Sequence, residues 1–314
     1  MSGSQPKILL SGASGIVGSA LRQALAEHGT SVLQLVRRPT GSPLEIKWDP
    51  HAACPLANAG PLEGLTAAIH LSGANLAAHR WTPAYKRELV DSRVGSTRAL
   101  VRTLASLRNP PLAVLVASAT GIYGNRADQL LDESSTPGSG FIADLCQQWE
   151  AAAHDNAAAG ARIVHLRFAV ALGPGPGALA RMLPIFRLGL GGPFGSGTQW
   201  MSWISLYDVV AAILFLLEAP ALTGPVNLTA PTPVTNSQFT SALARALHRP
   251  ALLPVPAFAL RLALGEIADE VLLSSARVYP GKLITAGFRF THPKVDQALA
   301  IALGLPQPVT PALS

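Results

Sequence analysis

A chain of 314 residues with 13% charged side chains and a mean hydropathy of +0.31 can bury one large core, which excludes a disordered protein. Its formal charge of +6 is mostly arginine, with lysine only at positions 7, 47, 86, 282 and 294. The arginines form no stripe and are not interleaved with aromatic residues, so the basic balance does not point to nucleic acid. The longest strongly apolar run, Val209–Leu217, is too short to cross a bilayer.

The first half alternates short apolar runs with amphipathic ones. The runs Lys7–Leu10, Ser31–Val36, Ala67–Leu71, Leu112–Ala117 and Arg162–Phe168 are each bounded by turn residues and predict strands. Helical periodicity predicts Ile16–His28, Pro83–Leu107 and Phe141–Ala159. Further on, glycine and proline punctuation at 173–177 and 189–193 flanks a helix near Leu179–Leu188. Tyr207–Glu218 reads as a helix and Pro225–Thr229 as a late strand. From Asn236 the pattern is helical with proline-rich loops. Strand–helix alternation implies a parallel sheet with right-handed crossovers and helices on both faces. The fold class expected is α/β, a Rossmann-type doubly wound parallel sheet with a small, mostly helical C-terminal lobe. The expected division is 1–170, completed by about 205–230, for the nucleotide-binding part, with 171–204 and 231–314 as the lobe. The N-terminal segment leads straight into the first strand and leaves no room for a signal peptide. A cytoplasmic protein is expected, with Cys54 and Cys146 as reduced thiols. The histidines show no metal-ligand spacing, so no metal site is expected.

In such sheets ligands lie beyond the carboxyl ends of the strands, so the residues just after each strand carry the reading. The first strand ends in Gly12-Ala13-Ser14-Gly15-Ile16-Val17-Gly18. Gly12 suits a tight turn, Gly15 a close approach of backbone to a pyrophosphate, and Gly18 close helix–strand packing. Ser14, Ile16 and Val17 belong to the turn and the first helical turn, where free N–H groups and a partial positive charge favour an anion. The second strand ends in Arg37-Arg38, where a site for NAD usually places an acid. Two guanidiniums there favour a 2′-phosphate, hence NADP(H). Leu71-Ser72-Gly73-Ala74 provides small residues for passage of backbone beside the adenosine. Arg93 is a candidate to face the same pocket. Ala117 and Ser118, then Tyr123, stand at the nicotinamide end. Arg167 and Phe168 are candidates for its wall. His70 reads as a core residue.

The segments GASGIVGSAL, WDP (48–50), HLSGANLA, RWTPAYK (80–86), DSRVGSTRAL, SATGIYG, GFIADLCQQWE, QWMSWISLYDVV, GPVNLTAPTPVTN and PGKLITAGFRF run through nearly the whole chain. They resemble the extended short-chain dehydrogenase/reductase superfamily, the nucleoside-diphosphate-sugar epimerases, and within it an atypical branch of epimerase-like NADP-binding proteins. The resemblance implies a Rossmann domain, bound NADP(H) and a small substrate lobe. That branch commonly has a histidine and an acid after the Trp-Ile pair, where this chain has Ser205-Leu206-Tyr207-Asp208.

The superfamily's acid/base is a tyrosine with a lysine four residues on. The residues four beyond Tyr85, Tyr123, Tyr207 and Tyr279 are Leu89, Ala127, Ala211 and Leu283, so the pair is absent. Ile142 and Cys146 fall where it would stand. Ser118 is matched to the superfamily's substrate-binding serine, and Tyr123 is the first candidate proton donor, against a reading as pocket wall. Cys146 reads as a buried neutral thiol. Asp144 and Glu150 read as helix-surface or capping groups. Two functions follow from the sequence. One is an NADP(H)-dependent oxidoreductase or epimerase-like enzyme with an altered acid/base. The other is a non-catalytic NADP(H)-binding protein, structural or redox-sensing. The expected partner is a small-molecule substrate of unknown identity, with no membrane.

Overall fold

The computed structural model describes residues 6–52, 55–56, 58–155 and 160–306; Cys54 therefore lies outside the described residues. In chain order the elements begin with β1 (Lys7–Ser11), α1 (Ile16–Glu27), β2 (Ser31–Val36), β3 (Glu45–Lys47) and β4 (Ala67–His70). They continue with α2 (Pro83–Val90), α3 (Ser96–Ala105), β5 (Ala113–Ala119), β6 (Leu130–Leu131), α4 (Phe141–Ala152) and β7 (Arg162–Phe168). Next come β8 (Val170–Leu172), α5 (Ala178–Arg187), β9 (Trp200–Met201), β10 (Trp203–Ser205), α6 (Leu206–Glu218) and β11 (Gly224–Leu228). Last are β12 (Val234–Thr235), α7 (Asn236–Leu247), α8 (Ala257–Leu264), β13 (Arg277–Val278), α9 (Gly281–Thr285) and α10 (Val295–Ala302).

A seven-stranded sheet has the order β11-β7-β5-β4-β1-β2-β3. From β1 the chain steps outward through β2 to β3, then returns to the other side of β1 with β4 and β5. The reversal lies between β1 and β4, which pair in parallel with Ser11 opposite His70. This is the doubly wound sheet expected, with its switch point at the glycine turn. Its central strands are apolar on both faces because helices cover both: β4 is wholly buried and β5 is buried through Ser118.

The chain forms two compact units. Unit 1 comprises the described residues of Met1–Ile122, Asp144–Arg167 and Ile213–Val226. Unit 2 comprises those of Tyr123–Ala143, Phe168–Ala212 and Asn227–Ser314. The segment 123–143, counted with the nucleotide-binding part on sequence, thus falls in unit 2. Unit 2 has its own core, in which Leu179 and Phe186 of α5, Phe239 and Leu243 of α7 and Leu299 of α10 pack around Trp203. α7 starts where Thr235 and Gln238 form a reciprocal capping box. No helix among the described residues is long and apolar enough to cross a membrane.

One helix departs from its expected form. Pro83–Leu107 is not a single α-helix, because a π-helical turn at Asp91–Gly95 joins α2 to α3. The π turn inserts surplus backbone into an otherwise regular helix and re-aims its side chains. Here Ser92 and Arg93 both reach the loop after β4.

Candidate cofactor site

The glycine turn is built as its spacing predicts. Gly12 has φ +73, and a Cβ there would lie 2.7 Å from the Leu71 carbonyl carbon and oxygen, so only glycine lets β1 and β4 end side by side. A Cβ on Gly18 would lie 2.1 Å from the Gly12 oxygen, which locks α1 down on the turn. Gly15 differs. Its φ is −74, and an added Cβ meets only the Gly12 oxygen, at 3.4 Å. The protein itself does not require glycine there, whereas a ligand brought against the backbone would. Gly15 is also the N-cap of α1, which has no side-chain cap and no acidic residue in its first turn. Ser14 and Gly15 are exposed, and Ile16 and Val17 partly so. This helix end has the chemistry of a phosphate cradle.

Leu71, Ser72 and Ala74 are partly exposed and Gly73 is exposed, directly after β4. Ala74 is held at both backbone groups. Its N–H donates to Ser92 Oγ at 3.0 Å, and its carbonyl accepts from Arg93 Nη2 at 2.9 Å. Arg93 is only 8% exposed. It also donates to the Leu89 carbonyl and lies 5.2 Å from the centre of the Trp149 ring. Arg93 therefore braces the loop after β4, against Gly73 and Ala74. Burial draws its pKa down from the ordinary arginine value.

The two arginines after β2 separate. Arg38 forms a forked pair with Glu45, at 2.9 and 2.5 Å. The hydrogen bond and charge of Glu45 raise the Arg38 pKa, and Arg38 in turn lowers that of Glu45. Arg37 is exposed and, among the described residues, makes no ion pair. It lines a cavity of about 710 Å³ with Gly73, Ala74, Asn75, Tyr85 and Ser92.

The residues after β5 and β7 are bound to one another. Ser118 is 2% exposed, and its hydroxyl donates to Glu150 Oε1 at 2.7 Å. Glu150 receives Arg167 in a fork, Nε to Oε1 at 2.8 Å and Nη2 to Oε2 at 2.9 Å. Burial works against the Glu150 charge, but the Arg167 hydrogen bond and charge and the Ser118 hydroxyl outweigh it and hold the carboxyl below its usual range. One correction follows. Glu150 is an internal ion-pair member, not a helix-surface group. Arg167 is committed to it and does not present a free guanidinium. The Ser118 hydroxyl proton is already engaged. Asp144 is exposed, as expected of a surface group. Ala117 is buried and Phe168 partly buried.

Tyr123 belongs to unit 2. It is fully buried, and its phenol donates to Asn227 Oδ1 at 2.8 Å. Asn227 is held in turn by Glu133 and the Tyr279 carbonyl. The phenol is a buried strut, which corrects its reading as first candidate proton donor. Cys146 is a buried thiol pushed up to about 12 by burial first and by the Glu150 charge second. His70 is buried between Ser11 Oγ (2.6 Å) and Ser96 Oγ (3.1 Å). Ser96 Oγ lies in donor range of the Ser92 carbonyl, so one neutral ring, protonated on Nε2, satisfies both contacts. Burial lowers its pKa to about 4.

Sequence reasoning missed the arrangement around Ser205. Asp208 is fully buried and accepts from Ser205 Oγ and from the Thr291 and His292 N–H groups. His292 Nδ1 lies 3.1 Å from Ser205 Oγ. His292 thus meets Ser205 from 87 positions away, a distance no local motif reports.

The fold and the glycine cradle define a dinucleotide-binding protein of the short-chain dehydrogenase/reductase type. The chain belongs to the NAD dependent epimerase/dehydratase family, whose model matches residues 8–228. A second model, described as a domain of unknown function (DUF1731), matches residues 255–302. The epimerase family protein Mb2239 of Mycobacterium bovis is 44% identical over 307 residues, covering 95% of this chain and 98% of its own length. The crystal structure of human epimerase family protein SDR39U1 with NADPH is 32% identical with a TM-score of 0.85, covering 95% of this chain and all of that one. A nucleoside-diphosphate sugar epimerase from Corynebacterium glutamicum is 31% identical with a TM-score of 0.78, covering 97% of this chain and 59% of that one.

Proposed function

We propose that this chain is an NADP(H)-dependent oxidoreductase or epimerase-like enzyme of the atypical branch, acting in the cytoplasm on a small-molecule substrate. The observation that carries the cofactor reading is Gly15, a glycine the protein's own packing does not require, at an uncapped helix N-terminus. Gly12, Ser14, Gly15, Ile16 and Val17 hold the pyrophosphate, with Gly18 closing the helix onto the turn. Leu71 to Ala74 pass beside the adenosine, and Arg37 takes the 2′-phosphate. The human relative crystallised with NADPH supports this choice of nucleotide. The nicotinamide, when bound, supplies or accepts hydride. Protons come from solvent or from the substrate, because the Ser118 and Tyr123 hydroxyls already serve Glu150 and Asn227. Unit 1 carries the nucleotide and unit 2 the substrate groups.

The same two hydrogen bonds, with Ile142 and Cys146 in place of the tyrosine–lysine pair, favour a second reading. In it the protein binds NADP(H) without turnover, and the cofactor stabilises the fold or reports redox state. A screen of carbonyl compounds and nucleotide sugars for NADPH oxidation separates the two. Turnover supports the enzyme. Tight NADPH binding with no turnover across the screen supports the second reading, and absence of NADPH binding overturns both.

A further inference from the structure

Helix α8 reads AFALRLAL, apolar at every position except Arg261. A helix that is hydrophobic all round belongs in an interior. Of this one only Leu260 is fully buried. Phe258 and Leu262, one turn apart on the same side of the helix, are 71% and 77% exposed. Leu260 anchors α8 to unit 2, and the opposite side is just as apolar with nothing over it.

That outward side continues onto two neighbouring segments, 187–195 and 249–255, which run side by side. Arg249 Nε donates to the Arg187 carbonyl, Val255 N–H to the Pro193 carbonyl and Gly195 N–H to the Val255 carbonyl. A Cβ on Gly192 would lie 1.7 Å from the Leu253 oxygen, and one on Gly195 would lie 3.8 Å from Ala257 Cβ, where α8 begins. Leu188 and Leu190 on the first segment and Leu252 and Leu253 on the second are between 56% and 82% exposed. With Phe258 and Leu262 they present on the order of 800 Å², about what each partner gives to an interface of standard size. The largest apolar patch of a typical monomer is smaller, about 300–600 Å². The rim carries charge of both signs. Arg187 and Arg249 stand at the α5 end, exposed and, among the described residues, in no ion pair. Glu266 and Asp269 stand beyond α8, also exposed, with Asp269 already bridging Arg261.

We propose that this face of unit 2 is a homodimer interface, in which two copies of the chain pack α8 and the flanking leucines together about a two-fold axis. The rim argues for a second copy. Basic at one end and acidic at the other, it is self-complementary when a two-fold axis sets each basic end against the acidic end of the other copy. An anionic bilayer would match one end only. The interface stands on unit 2 alone and does not depend on the cofactor reading.

The test is sedimentation velocity of the full-length protein over a concentration series, with far-UV spectra as a check that each variant is folded. The wild type should show a reversible monomer–dimer equilibrium. Phe258→Gln/Leu262→Gln should weaken association about tenfold or more, as loss of central apolar anchors does. Leu252→Gln, outside any helix, should act in the same direction, so the outcome does not hang on the integrity of α8. Arg249→Glu should also weaken association, and adding Glu266→Arg should recover part of that loss. A wild type that stays monomeric throughout overturns the proposal, and binding of that monomer to phosphatidylserine vesicles would assign the face to a bilayer instead. A dimer that withstands the apolar variants overturns it too, because the copies then meet elsewhere. A charge reversal with no effect, or one the double variant does not relieve, overturns the two-fold arrangement. None of these readouts involves a nucleotide, so failure here leaves the NADP(H) reading untouched.

Discussion

Arg38 and Glu45 form a forked ion pair 2.9 and 2.5 Å long, and that pair leaves the neighbouring Arg37 alone to face the cavity beside Gly73 and Ala74. Two residues indistinguishable by charge thus have separate work. Arg37→Ala should weaken NADPH about tenfold or more, roughly 1.4 kcal/mol, while leaving NADH nearly unchanged. Arg38→Ala should change the NADPH/NADH ratio far less. Fluorescence titration of both nucleotides against both variants decides the matter, and equal NADPH and NADH affinities in the wild type would remove the 2′-phosphate assignment.

Gly15 and Gly18 should respond oppositely to substitution. Gly18→Ala forces a Cβ to within 2.1 Å of the Gly12 oxygen, so it should lower the melting temperature sharply. An added Cβ at Gly15 meets only the Gly12 oxygen, at 3.4 Å, so Gly15→Val should cost little more than a poorer N-cap, about 1 kcal/mol, and keep a native far-UV spectrum while nucleotide binding is lost. Nucleotide affinity retained in Gly15→Val would place the phosphates elsewhere.

His70 makes stability depend on pH. Its folded pKa, about 4, lies below the unfolded value of about 6.5. The unfolded chain therefore takes up a proton first, and stability falls as pH drops from about 6.5 to about 4, by on the order of 3 kcal/mol. Above that window His70 contributes no pH dependence. Urea unfolding at pH 7 and pH 5 should show the loss, and His70→Gln should flatten the slope between them.

The Glu150–Arg167 fork can be broken from either side. Glu150→Gln strands a guanidinium whose side chain is 7% exposed, at a cost of about 3 kcal/mol. The double variant Glu150→Gln/Arg167→Met should recover part of that loss. If the single variant unfolds at the wild-type urea concentration, the pair does not brace β7 against α4.

The Cys146 thiol should be slow toward DTNB in the native state at pH 8 and fast once unfolded, because burial keeps it protonated. A Cys54→Ser background isolates the signal. Rapid native labelling of Cys146 would contradict both its burial and its raised pKa.

What the sequence revealed follows the range of its physical rules. The glycine turn, the strands and the switch-point loop are governed by neighbours within a few residues, and spacing alone located Gly12, Gly15 and Gly18. The neutral, internal His70 and Cys146 were also readable, from their apolar surroundings. The brace behind the sheet was not. Ser118 lies 32 residues from Glu150 and Arg167 lies 17 from it, so nothing local says that their polar groups satisfy one another. Tyr123 meets Asn227 across 104 residues, and on sequence its phenol read as available. Arg93 read as facing the pocket, and its contacts to the Ala74 carbonyl and the Trp149 ring, 19 and 56 residues away, were not legible locally.

The π turn between α2 and α3 makes chain length, more than side-chain identity, the fixed quantity in this segment. Deleting one residue from Asp91–Gly95 would let the backbone relax into ordinary α-helix, locally a gain in regularity. It would also turn Ser96–Ala105 by about 100° relative to α2, swinging Leu100 and Leu104, each 1–2% exposed, off the sheet. Substitutions on the outer face of α3 should be accepted freely, whereas a helix made more regular by one residue would no longer fit this protein.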